Sequence, residues 1–156
     1  MTPFFSPVAA LALAIIANTA IADTGHAGKF TFGSPGKQQE VTRTIEVEAT
    51  DAMRFIPSKI EVKQGETIRF VVRNRGRIKH EFSIGDRIAQ GAHAAMMKQM
   101  PDMQHADDAT TVTVEPGQTK TLIWKFDKKP PSPIEIACHV PGHHEAGMKA
   151  DVVLIK

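Results

Sequence analysis

The chain has 156 residues and a formal net charge of +2, with 19 basic and 17 acidic side chains. This balance gives no strong basic field, so we expect no nucleic-acid partner. The length suits one domain. The single cysteine excludes an internal disulfide, and it excludes sites built on two or more thiolates, such as zinc ribbons and Cys-ligated iron–sulfur clusters.

The first 22 residues predict a secretory signal peptide. They contain no Lys, Arg, Asp or Glu, and an apolar run over 8–17 precedes Ala20-Ile21-Ala22, which matches an A-x-A cleavage site. The run is too short for a membrane-spanning helix, which needs about 20 apolar residues. Removal of the first 22 of the 156 residues would leave 134 in an exported protein with no membrane span.

The next residues, 23–40, are rich in Gly, Ser, Thr and Lys, which predicts a flexible N-terminal arm with a short strand over 29–33. From residue 41 the pattern becomes β, because apolar and polar side chains alternate over 41–49. One domain is expected over 41–156. Further strands are predicted over 59–62, 67–73, 79–84, 111–114, 119–126, 134–137 and 150–155.

One segment breaks this β pattern. Residues 87–100 contain no proline and are rich in Ala, Met and Gln, which predicts a helix that Pro101 ends. Short strands separated by turn signals, with a single helical insert, indicate an all-β chain that folds as an antiparallel sandwich.

The segment 138–148 concentrates metal ligands between two predicted strands. It contains one thiol, three imidazoles and one thioether, and Pro141-Gly142 predicts a turn that returns His143 toward Cys138. Soft sulfur with imidazole selects copper or zinc over magnesium or calcium. One Cys, two His and a weak axial Met are the ligand set of an electron-transfer copper site.

This segment offers Cys138, His143 and Met148, so a second imidazole must come from elsewhere in the chain. His80 is the candidate, because it lies at the start of a predicted strand, just after the turn over 74–77. At that position a neighbouring strand end could face the ligand-rich loop. The predicted metal site is therefore made of these four side chains.

Three other polar residues near this set have alternative interpretations. His144 is the rival of His143 as a ligand, although the Pro-Gly-His order favours His143. We expect His139 and His144 to be solvent-exposed. Asn74 either braces the segment before His80 by hydrogen bonds or is an ordinary turn residue, and the second interpretation is preferred.

On these residues the chain resembles the cupredoxin family, the type 1 copper proteins. Its Cys-x-x-Pro-Gly-His core is similar to that of azurin, and Cys-x₄-His-x₄-Met is similar to rusticyanin. Met53-Arg54-Phe55-x-Pro57, Lys79-His80-Glu81-Phe82 and the Met-rich insert resemble small periplasmic cupredoxins linked to bacterial copper tolerance. The resemblance implies a Greek-key β-sandwich, one type 1 copper at one end, a periplasmic location, and His143 as the ligand nearest solvent.

Methionine and histidine cluster in the predicted helix and just after it. At helical spacing Met96 and Met100 share a face, as do Met100 and Met103. Either this helix packs flexible Met side chains on the sandwich, or it forms a weak additional Cu(I) site, because thioethers bind monovalent copper without losing a proton. The residues concerned are His93, Met96, Met97, Met100, Met103 and His105.

Two functions follow from this ligand set, and a third is excluded. We expect a copper-tolerance protein that binds and redox-cycles copper, and the alternative is a soluble one-electron carrier of a respiratory or photosynthetic chain. The partner would be a redox protein or a copper-handling protein of the periplasm. We expect no enzyme, because a multicopper oxidase needs a second site of clustered histidines, and the seven histidines here include no His-x-His pair.

Overall fold

A computed structural model of the chain describes residues 30–100 and 107–155. The predicted signal peptide, Pro101, Met103 and His105 lie outside these residues. The described part forms two five-stranded sheets and one α-helix. The elements are β1 (Ser34–Pro35), a 3₁₀ turn (Gln38–Glu40), β2 (Arg43–Thr50), β3 (Arg54–Ile56), β4 (Lys59–Lys63), β5 (Thr67–Asn74), β6 (His80–Asp86), α1 (Arg87–Gln99), β7 (Thr111–Val114), β8 (Thr119–Lys125), β9 (Ile134–Ala137) and β10 (Lys149–Ile155).

The strand order is β1-β8-β5-β2-β3 in one sheet and β4-β10-β9-β6-β7 in the other. Chain neighbours often lie in different sheets, so the connections cross from one layer to the other, and the predicted all-β, Greek-key sandwich is confirmed. The expectation of purely antiparallel pairing is wrong in two places, since β2–β5 and β4–β10 are parallel. Crossing connections bring these strands together in the same direction, which a period-two sequence pattern cannot show.

The core lies between the sheets and follows the alternation of the strands. On β5, Ile68, Phe70 and Val72 point inward and are fully buried. The Phe70 ring meets the ring of Phe82 on β6 at a centroid distance of 5.3 Å, so aromatic contacts join the two layers. Burial of such side chains stabilises the fold by about 1.5–3 kcal/mol each. The sandwich therefore fixes the position of β6 and its neighbours.

The described residues before β2 pack against the sandwich. Phe32 is 1% exposed and stacks on Trp124 at 5.0 Å, and Phe30 meets the same indole edge-on at 5.2 Å. Strand β1 pairs with β8. The expectation of a flexible arm is thus wrong from residue 30 onward. The short strand predicted over 29–33 lies instead at Ser34–Pro35. The two phenylalanines explain the difference, because their burial outweighs the polar composition around them.

Helix α1 confirms the predicted helix and covers the outer face of β6. Asp86 caps its first turn by accepting hydrogen bonds from the backbone N–H groups of Ile88 and Ala89. Gln90 anchors the helix by donating to the carbonyl oxygens of Ser83 and Glu135 at 2.9 and 2.8 Å. All seven residues of β6 are buried as a result. No helix of the described residues is long and apolar enough to cross a membrane.

Candidate metal centre

The predicted ligands lie where three strand ends meet. Strand β6 begins at His80, Cys138 follows the end of β9, and Met148 precedes the start of β10. Strand β9 pairs antiparallel with both β6 and β10. Its last residue, Ala137, pairs with Lys149 at the start of β10 and with Ser83, three residues after the start of β6. The sheet places one ligand from each strand end at the same edge.

Three of the four predicted ligands converge on one point. One nitrogen of His80, one nitrogen of His143 and the sulfur of Cys138 all lie within 4.8 Å of one another. Within this group, Cys138 Sγ lies 3.3 Å from His143 Nδ1. Over residues 30–100 and 107–155, no other group of His, Cys, Asp or Glu side chains meets this criterion. His80 and Cys138 are fully buried, and His143 is half-buried.

Hydrogen bonds along the backbone fold the segment 138–148 into a closed loop. The N–H of His143 donates to the carbonyl of Val140, and Gly142 takes the positive φ of 85° that this turn requires. The N–H of Met148 donates to the carbonyl of His143, and the N–H of Cys138 donates to the carbonyl of Met148 at 3.1 Å. The fully buried Met148 is thereby held next to Cys138.

The imidazole of His80 has the features of a metal ligand. Its Nε2 lies 3.4 Å from the Asp51 carboxylate, and its Nδ1 is buried without a hydrogen-bond partner. Burial lowers the pKa of both His80 and His143, which favours the neutral rings, each with one nitrogen lone pair available to a metal. A buried nitrogen without a partner is costly, and a metal ion at Nδ1 would remove this cost. Asp51 is then the outer-shell carboxylate that orients the ring.

The thiol of Cys138 completes the donor set. Burial raises its pKa to about 11, so the metal-free protein keeps the proton on sulfur. The backbone N–H of Glu81 donates to Sγ at 3.3 Å, which stabilises negative charge on the sulfur. A metal that binds here must displace the thiol proton, so we expect binding to release it. Two imidazoles and a thiolate in a buried site suit copper.

Comparison with known proteins identifies the family. The model of the copper-binding proteins of the plastocyanin/azurin family matches residues 41–155. The chain belongs to this family. It is a cupredoxin, and copper, the metal of the family, is confirmed as the predicted cofactor.

Individual proteins resemble this cupredoxin in sequence or in fold. It is 44% identical to the copper-resistant cuproprotein CopI of Rubrivivax gelatinosus, over 90% of this chain and 91% of that protein. It is 39% identical to the copper-resistant cuproprotein CopI of Vibrio cholerae, over 83% and 76%. The crystal structure of auracyanin from Roseiflexus castenholzii shares the fold, with a TM-score of 0.60 and 20% identity over 74% of this chain and 99% of that one.

Asn74 braces the segment that leads to His80. Its side-chain amide donates to the carbonyl oxygens of Ile78 and Val114 at 2.7 and 2.9 Å, and its Oδ1 accepts from the N–H of Gly76 at 2.8 Å. Asn74 is 2% exposed. The preferred interpretation, an ordinary turn residue, is therefore wrong: the side chain joins the turn over 74–78 to β7.

The two histidines that neighbour the ligands do not join the converging group. His139 is only 8% exposed, and its Nε2 lies 2.7 Å from Gln90 Oε1, so the expectation that it is solvent-exposed is wrong. Burial lowers its pKa to about 4. His144 is half-exposed, and its Nε2 lies 3.1 Å from Glu135 Oε1. The difference for His139 arises because α1 covers this side of the loop.

Sequence reasoning did not find Asp51 and Glu81 as residues of this site. Asp51 lies in a turn, and no spacing relative to His80 marks it. Glu81 follows His80 on a strand whose alternation points it away from the core, which predicts a solvated carboxylate. The one available signal was the nearby helical segment, since a helix packed on this face would bury Glu81.

The described part of the methionine-rich segment divides between buried and exposed side chains. Met97 is 7% exposed, as a packing role requires, whereas Met100 is 38% exposed. His93 lies 2.9 Å from the Glu81 carboxylate. Met103 and His105 lie outside the described residues. The additional Cu(I) site therefore stays a prediction.

Proposed function

We propose that this cupredoxin binds one copper ion through His80, Cys138 and His143, with Met148 as a weak fourth ligand, and cycles it between Cu(I) and Cu(II) in copper tolerance. The observation that carries the proposal is the convergence of two imidazole nitrogens and one thiol sulfur within 4.8 Å. Copper tolerance is supported by the names of the relatives from Rubrivivax gelatinosus and Vibrio cholerae. The signal peptide predicted over 1–22 supports a periplasmic location.

The chain's contribution is to hold these donors still. His80 and Cys138 project from the ends of paired strands, and the hydrogen bonds of the loop fix His143 and Met148. Bound copper supplies the one-electron chemistry. Because the sandwich would hold the same donors for both oxidation states, little reorganisation would accompany electron transfer. The two imidazoles and the thiolate would bind strongly, and Met148 with the apolar shell would tune the potential.

The alternative, a soluble one-electron carrier, is favoured by one observation. His143 is half-buried and follows Pro141 and Gly142, which are both exposed, so this edge offers a short path between the metal site and a docked partner. The surroundings are polar, however, since exposed Glu145 and half-exposed His144 lie in the same loop. Brief docking of redox partners favours a flatter apolar surface, so we place copper tolerance first.

The ligand assignment is tested by the visible absorption of the copper-loaded protein. An intense band arises from charge transfer between a thiolate and Cu(II), so Cys138→Ser should abolish it. His143→Gln should weaken copper binding and shift the band, and the neighbouring His144→Gln is the matched control that should leave it unchanged. A band that persists in Cys138→Ser would contradict the assignment.

The two functions are separated in a strain that lacks the protein. If the protein serves copper tolerance, the strain should stop growing at a lower copper concentration while its respiratory rate at trace copper is unchanged. A respiratory defect without copper sensitivity would favour the carrier. Complementation with the Cys138→Ser variant is the control, and it should fail in either case. That the chain is not an enzyme stays a prediction, as does the identity of its partner.

A further inference from the structure

A buried carboxylate lies against the backbone segment that carries the proposed ligand Cys138. Glu81 follows the ligand His80 on β6 and is 2% exposed. Its backbone N–H donates to Cys138 Sγ at 3.3 Å, and its Oε2 accepts a hydrogen bond from the N–H of His139 at 3.2 Å. The same residue therefore contacts the ligand sulfur and the backbone just after it.

The counter-charge to this carboxylate comes from helix α1. Nε2 of His93 lies 2.9 Å from Glu81 Oε2, which is ion-pair distance, and the His93 side chain is 13% exposed. Burial by itself lowers the pKa of His93, but the contact with Glu81 and the charge of Asp108 outweigh burial, so the pKa is raised. A carboxylate this deep is costly unless it is paired. The pair also joins α1 to the strand that carries His80.

We propose that His93 is a positioning residue of the copper centre: by pairing with Glu81 from helix α1, it neutralises the carboxylate beside Cys138 and so sets the reduction potential. The proposal rests on the proposed function, since it requires copper bound at Cys138. It gives helix α1, which carries Met96 and Met97 of the methionine-rich segment, a direct electrostatic link to the redox site.

The sign of the effect follows from electrostatics. A negative charge near the metal stabilises Cu(II) more than Cu(I), because Cu(II) carries one more positive charge. With His93 in place, Glu81 and His93 together carry no net charge. Without His93, the carboxylate is unbalanced in a poorly solvated position, and the equilibrium moves toward Cu(II). A pair that only fastened the helix would change the stability of the protein and leave this equilibrium alone.

The test is a redox titration of the full copper-loaded protein at pH 7, followed by the thiolate absorption band. His93→Gln should shift the Cu(II)/Cu(I) equilibrium at least tenfold toward Cu(II), which is a fall in potential of about 59 mV for one electron. The double variant Glu81→Gln/His93→Gln has an uncharged pair of similar size and should return to within threefold of the wild type. Lys98→Gln removes a cation from an exposed position of the same helix and is the matched control, expected to change nothing.

Two outcomes would overturn the proposal. In one, His93→Gln has the potential of the wild type. In the other, the double variant stays as low as the single variant, which would mean that the shift came from a displaced helix and not from charge. Failure of the proposed function looks different, because the wild type itself would then show no thiolate band to titrate.

Discussion

Replacement of Asn74 by alanine tests whether the segment before His80 is held by this one side chain. The amide makes three hydrogen bonds, to the backbone of Gly76, Ile78 and Val114, in an almost fully buried position. Alanine keeps the backbone hydrogen bonds of β5 but leaves these three backbone groups without their partner. The ligand His80 lies only two residues beyond Ile78.

The size of the effect follows from the hydrogen-bond count. Each bond contributes about 0.5–1.5 kcal/mol net, so the loss of three predicts a free energy of unfolding about 3 kcal/mol lower. With a urea dependence of about 1.5 kcal/mol per molar for a protein of this size, the unfolding midpoint should fall by about 2 M. The looser segment should also release copper faster, because His80 is no longer held in position before binding.

Urea unfolding of the copper-free protein, followed by fluorescence of the single tryptophan, measures the midpoint. Transfer of copper to an excess of chelator measures its release. Arg77→Ala is the control, since this exposed side chain lies in the same turn and only its backbone N–H is used, by Asp51. A midpoint within about 0.3 M of the wild type corresponds to less than about 0.5 kcal/mol, the usual scatter of surface substitutions, and would refute the reasoning.

Three further predictions concern the metal and the titrating groups. Met148→Leu should keep copper and raise the reduction potential measured by redox titration, because a weak donor that favours Cu(II) is lost; a lower potential would contradict the axial role. The free energy of unfolding of the copper-free protein should fall as the pH drops from about 6.5 to 4, because the unfolded chain binds a proton at His139 that the folded chain excludes. His139 should contribute at most about 1.4 kcal/mol per pH unit to this fall. Urea midpoints at pH 4.5 and 6.5 measure it, and the midpoint of His139→Gln should fall less between these pH values than that of the wild type. A variant with leucine at Met96, Met97, Met100 and Met103 should bind fewer equivalents of Cu(I) in a titration than the wild type. An unchanged stoichiometry would contradict the additional Cu(I) site.

Patterns within short segments predicted most of the strands correctly. The strands predicted over 41–49 and 67–73 correspond to β2 and β5. They were predictable because every second residue of a strand with one buried face is apolar. The helix over 87–100 was predicted because its composition departs from the β pattern. Strand β3 was missed, since Pro57 follows it directly and reads as a break.

The candidate site divides in the same way. The spacing from Cys138 to Met148 reflects the size of one loop, so a local pattern is enough to predict these ligands. Three other features of the site depend on contacts between different segments of the chain. They are the contact of His139 with Gln90, that of Asp51 with His80, and the Glu81–His93 pair. No local pattern contains that information.

The amino-acid sequence by itself determined the type of metal, the ligand loop and the sandwich class, because donor chemistry and strand periodicity are local properties. Only the tertiary structure decided which polar groups surround the copper site and with what charge. The physical reason is that helix α1 packs on the outer face of β6 and excludes water there, which turns side chains that the pattern leaves in solvent into buried partners of the ligands.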